Sequence, residues 1–262
     1  MSESSLKRPS PTTSLEEILD LQPPVGGWVP FSSIDDPGHL ATVLFLEGCP
    51  WRCSYCHNRH LWTRHNDGTS TKVLSFVQHL SNRRGLLDSV VVSGGEPTSF
   101  VELPKLVRCI QPHFRVALHS GGAEPETFRQ TLSSIDWVGF DFKTSWDNYA
   151  QLTRSKQSGE AATQSLRYLL ESKTPYEIRT TVSPAHHTPK ILVKMLDELI
   201  ALNIKTWFLQ EGRQDSKKRL EGLDELLSDA FIDQLRGRAD DSKIQINLRH
   251  ADGSQSSLSC DR

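Results

Sequence analysis

Three cysteines of this sequence lie within eight residues. Cys49, Cys53 and Cys56 have the spacing C-x3-C-x2-C in the segment Cys-Pro-Trp-Arg-Cys-Ser-Tyr-Cys. Cysteine thiolates are the usual ligands of iron–sulfur clusters, and a cubane cluster normally takes four of them. Three close thiolates would leave one iron with an open coordination position for a small molecule. The spacing therefore favours an incomplete iron–sulfur site.

A structural zinc site is the main alternative. Zinc also binds thiolates and imidazoles, and His57 or His60 would supply its fourth ligand. Zinc sites usually combine paired C-x2-C units separated by a longer stretch, which this sequence lacks. The other cysteines indicate no disulfide framework, since Cys109 lies in an apolar helical pattern and Cys260 in a polar tail. The spacing alone favours iron–sulfur and leaves zinc open.

The composition excludes several classes of partner. The 262 residues suffice for one large α/β domain, and 30 Lys and Arg against 32 Asp and Glu give a net charge of −2. This balance of charge gives no electrostatic reason to expect that the protein binds nucleic acid or an anionic membrane. The apolar runs are too short to cross a bilayer, and residues 1–20 lack the apolar stretch of a secretory signal. We expect a cytoplasmic protein that binds neither membrane nor nucleic acid.

Short apolar runs alternate with amphipathic segments from Ala41 onward. The predicted strands are Thr42–Leu46, Ser89–Val92, Arg115–Leu118, Trp137–Phe140, Glu177–Val182 and Thr206–Leu209, with a seventh at Ile244–Leu248. Helical patterns fall near residues 72–84, 102–111, 125–134, 160–172, 188–202 and 222–236. Strands that are apolar on both faces predict a parallel sheet covered by helices. Repeated right-handed crossovers curl such a sheet into a partial (β/α)6 TIM-like barrel.

Polar residues follow the predicted strands where each strand ends. They are Glu47-Gly48-Cys49, Gly94-Gly95-Glu96, His119-Ser120, Asp141 with Lys143, and Gln210-Glu211, while Arg179 lies within the fifth strand. Parallel α/β barrels build their sites at the carboxyl ends of the strands. We therefore expect these side chains to surround one mouth of the barrel.

The cysteine loop and the glycine motif together resemble the radical S-adenosylmethionine (radical SAM) superfamily. Tyr55 before the last cysteine, and Ser93-Gly-Gly-Glu-Pro97 one βα unit later, are similar to two motifs of that superfamily. Residues 27–38, 44–58, 138–143 and 176–182 further resemble glycyl-radical-enzyme activases, and among them the anaerobic ribonucleoside-triphosphate reductase activating proteins. The similarity runs from about residue 26 to residue 210. His119-Ser-Gly-Gly122 stands where many relatives have an Asp-Thr-Asn-Gly-like sequence, so no acidic cofactor contact is carried over there.

The resemblance implies a cofactor pair and a class of substrate. A [4Fe–4S] cluster would be held by Cys49, Cys53 and Cys56, and the amino and carboxylate groups of S-adenosylmethionine would bind the fourth iron. One electron would cleave the cofactor, and the resulting radical would take hydrogen from a glycine of anaerobic ribonucleotide reductase. Flavodoxin or ferredoxin is the implied reductant. The alternative is a radical SAM enzyme that acts on another glycyl-radical enzyme or on a small molecule.

Nine residues are predicted to bind the cofactor: Tyr55, Gly94, Gly95, Glu96, Ser120, Asp141, Lys143, Arg179 and Gln210. Tyr55 would lie against adenine, and the glycines would let the backbone approach the methionine end. Lys143 and Arg179 would bind the cofactor carboxylate, and Asp141 a polar group. Structural alternatives stay open: a tight turn for the glycines, and salt bridges among Asp141, Lys143 and Arg179. No catalytic side chain beyond the cluster and the cofactor is assigned.

Domain limits follow from the same pattern. Residues 1–24 are predicted to be an N-terminal tail with one short helix, which begins at a capping box formed by Ser14 and Glu17. Residues 25–250 form the radical SAM domain of the resemblance, and residues 251–262 a polar C-terminal tail.

Overall fold

Nine strands form one sheet, in which spatial order follows chain order. The computed structural model describes residues 14–65, 69–212, 228–250 and 254–258. The strands are β1 Val25–Ser32, β2 Ala41–Leu46, β3 Ser89–Gly94, β4 Arg115–Ser120, β5 Trp137–Asp141, β6 Tyr176–Val182, β7 Thr206–Glu211, β8 Gln245–Arg249 and β9 Gln255–Ser257. Strands β2 to β8 are parallel, and β1 and β9 pair antiparallel at the two edges.

Helices connect the parallel strands. They are α1 Glu17–Leu21, α2 Thr69–Arg83, α3 Leu103–Ile110, α4 Pro125–Leu132, α5 Tyr149–Thr153, α6 Ser158–Glu171, α7 Pro189–Ala201 and α8 Asp229–Ser242. The predicted α/β fold, a parallel sheet with outer helices, is confirmed. The predicted helix near 222–236 overlaps α8 in its second half, and its first part lies outside the described residues. No helix within the described ranges is long and apolar enough to cross a bilayer.

The sheet separates two apolar layers. The larger one lies between the sheet and the helices and includes Leu44, Val90 and Val92. The smaller one lies on the concave side of the sheet and consists of Ala41, Val43, Val91, Ala117 and Trp137, with Phe45 packed against it. These residues occupy the first part of their strands, so the polar residues that follow them must lie at the carboxyl-terminal end. The barrel interior is therefore apolar near the amino-terminal ends of the strands and polar at the carboxyl-terminal ends, which form its mouth.

Two edge strands were absent from the predicted set. β1 contains Gly26, Gly27 and Pro30, which have low strand propensity, and Pro30 is tolerated there because β1 pairs with β2 alone within the described residues. β9 lies inside the predicted polar tail and pairs with β8. The limits 25–250 of the main domain stay a prediction.

The N-terminal helix docks on the body of the protein. Leu15 and Ile18 are fully buried, and α1 packs against α2 and α3. The predicted capping box is half formed: the Ser14 N–H donates to Glu17 Oε1 at 3.0 Å, but the Ser14 hydroxyl does not cap the helix, which begins at Glu17. Burial of the apolar face therefore anchors this helix more than capping does.

Candidate active site

The cysteine loop follows β2 and is held by backbone hydrogen bonds. Gly48 N–H donates to Leu61 O at 2.8 Å, and Cys49 N–H donates to Trp62 O at 3.1 Å. Cys53 is buried, whereas Cys49 and Cys56 are half-buried, and all three are free thiols. The loop thus places three free thiols at the carboxyl end of β2.

The surroundings of these thiols do not favour a reactive thiolate. Burial raises the pKa of Cys49 to about 12, and the charge of Glu96 adds to this, while the Trp51 backbone N–H and Lys143 act in the opposite direction. Burial also raises the pKa of Cys53, against the effect of Lys143. Such thiols keep their protons at neutral pH, and metal binding replaces those protons.

The same three thiols can serve as donors to a cluster. In the described part of the chain, no three His, Cys, Asp or Glu side chains are grouped so as to hold a single metal ion. A cubane cluster makes no such demand, because each cysteine binds a different iron. Three thiols with a backbone N–H directed at the sulfur of Cys49 are the donors that such a cluster uses.

Gly94 and Gly95 bring the end of β3 against the cysteine loop. Gly94 has a φ of +136°, and a Cβ there would lie 2.2 Å from Leu46 O. A Cβ on Gly95 would lie 2.6 Å from Gly48 O. In this close packing, Gly95 N–H donates to Leu46 O and Glu96 N–H donates to Gly48 O, each at 2.8 Å. The tight-turn alternative is therefore present, and approach of these glycines to a cofactor stays a prediction.

Glu96 and Ser120 join the ends of β3 and β4. Ser120 Oγ donates to Glu96 Oε1 at 2.6 Å, and Gly121 N–H donates to Oε2 at 2.9 Å. Thr98 donates its hydroxyl to Oε1 at 2.7 Å and its N–H at 3.2 Å. Burial raises the pKa of Glu96, although the hydrogen bonds from Ser120 and Thr98 oppose it. These two predicted cofactor ligands are thus brought together and bind each other.

Asp141 lies between two cations. Arg179 Nε donates to Asp141 Oδ1 at 2.7 Å, and Lys143 Nζ is 3.5 Å from Oδ2. Burial would raise the pKa of Asp141, but Arg179 and Lys143 outweigh it and hold that pKa well below its usual range. The Lys143 ammonium also lies 5.8 Å from the centre of the Trp51 ring, in the cysteine loop. The salt bridges that the sequence analysis gave as the structural alternative are therefore formed, and the Lys143 ammonium lies beside the thiols.

The peptide group of Lys143 is fixed by two residues that the sequence analysis did not assign. Lys143 N–H donates to Tyr149 Oη at 2.9 Å. His187 Nδ1 accepts from the Ser183 N–H at 2.9 Å, so its Nε2 carries the hydrogen and donates to Lys143 O at 2.8 Å. Burial lowers the pKa of His187, which keeps this ring neutral. The predicted helix start at Thr188-Pro189 is the only sequence signal that bears on His187.

His119 is a neutral hydrogen-bond donor inside the barrel. Its Nε2 lies 2.7 Å from Asp35 O, which requires a hydrogen on that nitrogen, and Arg179 Nη1 lies 3.2 Å away. Burial, and then the Arg179 charge, lower the pKa of His119 to about 3. Gly139 leaves room for Arg179, since a Cβ there would lie 2.7 Å from Nη1.

Tyr55 lies on the cysteine loop and packs against two histidines. Its ring centre is 6.0 Å from that of His186 and 6.3 Å from that of His187. Burial raises the pKa of the Tyr55 hydroxyl. The structure therefore places Tyr55 among loop side chains, and its contact with adenine stays a prediction.

A cavity of about 850 Å³ opens at the mouth of the barrel. Residues of the loop between β1 and β2 line one side, and residues of β6 to β8 line the other, with His57 and Asn58 next to the cysteine loop. Gln210 lies in this wall and donates to Thr181 Oγ1 at 2.9 Å. His119 and Arg179 also line the cavity. Gln210, His119 and Arg179 thus line one space together with the two residues that follow Cys56.

Comparison with known proteins settles the family. A sequence profile of the Radical SAM superfamily matches residues 43–199, more than half of the chain. This chain belongs to the radical SAM superfamily. Enzymes of this superfamily use a [4Fe–4S] cluster and S-adenosylmethionine, so the predicted cofactors are confirmed at the level of the family.

Two relatives extend the resemblance to activases. A Methanocaldococcus jannaschii protein, which carries a provisional name as a glycyl-radical enzyme activating enzyme, is 29% identical over 171 residues, 61% of this chain and 68% of its own length. The pyruvate formate-lyase-activating enzyme of Clostridium pasteurianum is 30% identical over 137 residues, 48% of this chain and 55% of its own length. The predicted resemblance to radical SAM activases of glycyl-radical enzymes is confirmed. This chain spans about half the length of the Clostridium relative.

Two solved structures share the fold. Streptococcus suis SuiB bound to S-adenosylmethionine has a TM-score of 0.56 at 12% identity, which covers 77% of this chain and 48% of SuiB. QueE from Escherichia coli has a TM-score of 0.50 at 16% identity, which covers 89% of this chain and 98% of QueE. At these identities the likeness supports the radical SAM barrel fold alone.

Proposed function

We propose that this protein reductively cleaves S-adenosylmethionine at a [4Fe–4S] cluster held by Cys49, Cys53 and Cys56, and generates a glycyl radical on anaerobic ribonucleoside-triphosphate reductase. One observation carries the proposal: three free thiols on one loop lie beside a half-buried cation, Lys143, and the next residues of that loop, His57 and Asn58, line a cavity of the barrel. The finer choice of target rests on the sequence resemblance of residues 27–58, 138–143 and 176–182.

The side chains around the thiols have separate roles in this proposal. Lys143 and Arg179 give Asp141 two cationic neighbours, so the group keeps a positive charge that attracts the cofactor carboxylate. Tyr149 and His187 hold the Lys143 peptide in place. When bound, the cluster and S-adenosylmethionine supply a one-electron cleavage that yields an organic radical able to take hydrogen. The cavity admits the reacting segment of the partner and limits the access of water.

The glycines and the rim residues support this group from the other side. Gly94 and Gly95 let the backbone of β3 lie against the cysteine loop, which brings the backbone of this segment next to the thiols. Glu96 and Ser120 fix the ends of β3 and β4 relative to each other. Gln210 presents an amide to the cavity from β7.

A second target has its own support. Some of the relatives are named pyruvate formate-lyase-activating enzymes. In the second candidate function, the substrate of this protein is therefore another glycyl-radical enzyme. In both candidates the protein works where thiols stay reduced, and we propose the cytoplasm, with flavodoxin or ferredoxin as the reductant.

An anaerobic electron paramagnetic resonance experiment tests the proposal. Reconstituted protein is reduced with dithionite and mixed with S-adenosylmethionine and either the ribonucleotide reductase or pyruvate formate-lyase of the same organism. A glycyl-radical doublet on the reductase alone supports the first target, and a doublet on the lyase alone supports the second. Cofactor cleavage with no radical on either protein would exclude both targets and favour a small-molecule substrate. An absence of cleavage would refute the enzyme class.

A further inference from the structure

A tryptophan flanked by two arginines lies directly behind the cysteine loop. The guanidinium carbons of Arg52 and Arg59 are 5.2 and 5.7 Å from the centre of the Trp62 ring. Arg64 follows two residues later and is exposed, as is Arg59. We call these four residues the Trp62 patch. The Arg52 and Arg59 guanidinium groups lie against the Trp62 indole, and the exposed Arg64 adds a third positive charge two residues along the chain.

The arginines of this patch donate hydrogen bonds to the backbone. Arg52 donates to Trp51 O at 2.9 Å and to Cys49 O, Arg59 donates to Ser54 O, and Arg64 donates to Ser99 O. All of these acceptors are backbone carbonyls. Within residues 14–65, 69–212, 228–250 and 254–258, no salt bridge to Asp or Glu involves any of the three arginines.

Some other arginines of the protein do pair with carboxylates. Six of them form ion pairs with carboxylates: Arg115, Arg129, Arg179, Arg236, Arg238 and Arg249. The chain as a whole carries a net charge of −2. Because a guanidinium does not lose its proton in a protein, the patch keeps three positive charges on a slightly acidic molecule. This favours a partner with a negative surface.

The patch touches the cluster loop but not the substrate cavity. Trp62 O accepts the Cys49 N–H at 3.1 Å, and Arg59 is bonded to the carbonyl of Ser54, between two of the cysteines. Among the described residues that line the cavity, the loop contributes His57 and Asn58 but none of the four patch residues. A partner on the patch would therefore lie next to the thiols while the cavity stays open.

We propose that the Trp62 patch is the docking surface for a small acidic electron-carrier protein. The inference rests on the proposed function, which requires one electron to enter from outside for each cofactor cleaved. The carrier is oxidised by one electron and the cluster is reduced by one, with no bond made or broken between the two proteins. Opposite charges steer such encounters, and Trp and Arg are the residues that most often dominate the binding energy of an interface.

The decisive variant removes charge from the exposed part of the patch. The double variant Arg59→Gln/Arg64→Gln leaves Arg52, which binds the Cys49 carbonyl, unchanged. The matched control is Arg83→Gln/Arg84→Gln, which removes two exposed charges where α2 ends, at the opposite end of the barrel. Iron content and visible absorbance first confirm that each holoenzyme contains its cluster.

Two measurements follow on each holoenzyme, with purified flavodoxin and, separately, a [2Fe–2S] ferredoxin as probes. Calorimetry gives the dissociation constant without S-adenosylmethionine, and stopped-flow absorbance gives the rate of cluster reduction. We expect the patch variant to bind at least one carrier about tenfold more weakly and to be reduced correspondingly slowly, while the control matches the wild type. Raising NaCl from about 50 to about 300 mM should weaken binding to the wild type more than to the patch variant.

Specific outcomes would overturn the proposal. The proposal is wrong if the patch variant binds both carriers with unchanged affinity. It is also wrong if the variant keeps its affinity for the carriers and instead loses binding to the glycyl-radical partner or to nucleic acid. Reduction by dithionite separates this inference from the proposed function. Failure of the wild type to cleave S-adenosylmethionine with dithionite refutes the function, whereas normal cleavage by the patch variant with dithionite, and slow cleavage with the carrier, supports the docking surface.

Discussion

Asp141 and Arg179 stand directly opposite each other on β5 and β6, and Arg179 Nε donates to Asp141 Oδ1 at 2.7 Å. Lys143 Nζ approaches the second carboxylate oxygen at 3.5 Å. Two cations therefore share one carboxylate, and the group keeps a net positive charge at the barrel mouth. A site with this balance is suited to bind one further anion.

Arg179→Met should destabilise the protein by about 2 kcal/mol, because it leaves the Asp141 carboxylate with Lys143 as its remaining cationic partner. Urea unfolding of the variant and the wild type measures this loss. Arg129→Met is the control, since the Arg129–Glu126 pair lies on the surface and should contribute less than about 1 kcal/mol. Equal losses in the two variants would show that the Arg179–Asp141 pair contributes no more to stability than the surface pair does.

Gly95→Ala should destabilise the protein by roughly 2 kcal/mol and weaken retention of the cluster. The new Cβ would lie 2.6 Å from Gly48 O and 2.8 Å from Leu61 O, and these backbone atoms can move only if the cysteine loop moves. Gly27→Ala is the matched control, because nothing lies within 4 Å of its added Cβ. Thermal unfolding and iron content are the measurements. A Gly95→Ala protein with normal stability and a full cluster would contradict the close packing of these two segments.

Most of the fold follows from local patterns in the sequence. The predicted strand Ser89–Val92, for instance, lies inside β3, because a run of valines between helical segments has few other solutions. β1 escaped prediction because its pairing with β2 is a tertiary contact that offsets the poor strand propensity of Gly26, Gly27 and Pro30. A segment that forms a strand only because it pairs with another strand has no local sequence pattern that predicts it.

The site shows the same division. The structure contains the salt bridges among Asp141, Lys143 and Arg179 that the sequence analysis left open as the structural alternative. The sequence did not indicate that Tyr149 and His187 hold the Lys143 peptide, because these contacts join separate βα units. Likewise, Glu96 is predicted to bind the cofactor, and the sequence did not indicate its hydrogen bonds with Ser120 and Thr98.

Cys53→Ser should abolish stable cluster binding, because a serine hydroxyl replaces one of three thiolate donors. Iron and sulfide analysis of anaerobically reconstituted protein checks this, together with the visible absorbance. Cys109→Ser is the control: Cys109 is buried in α3 among apolar side chains, so its replacement should lower stability but leave the iron content unchanged. Full iron content in the Cys53→Ser protein would remove Cys53 from the ligand set.

His119→Gln should reduce the loss of unfolding free energy that the protein undergoes between neutral and acidic pH. Burial and Arg179 lower the pKa of His119 to about 3, against an ordinary value of 6.5. Between these two values the unfolded chain binds a proton that the folded protein does not, so the free energy of unfolding falls as the pH falls below 6.5. At about pH 5 this costs the wild type ~2 kcal/mol relative to neutral pH.

The glutamine variant isolates this effect. Its amide can still donate to Asp35 O, the acceptor of the His119 Nε2 hydrogen, but it binds no proton in this range. Asp141 also loses stabilisation on acidification, because its folded pKa is lowered, but it does so at lower pH and in both proteins. Urea unfolding at about pH 7.5 and about pH 5 should therefore show a smaller loss in His119→Gln than in the wild type. Equal losses would mean that His119 is protonated in the folded protein, which is incompatible with a buried ring packed against the Arg179 guanidinium.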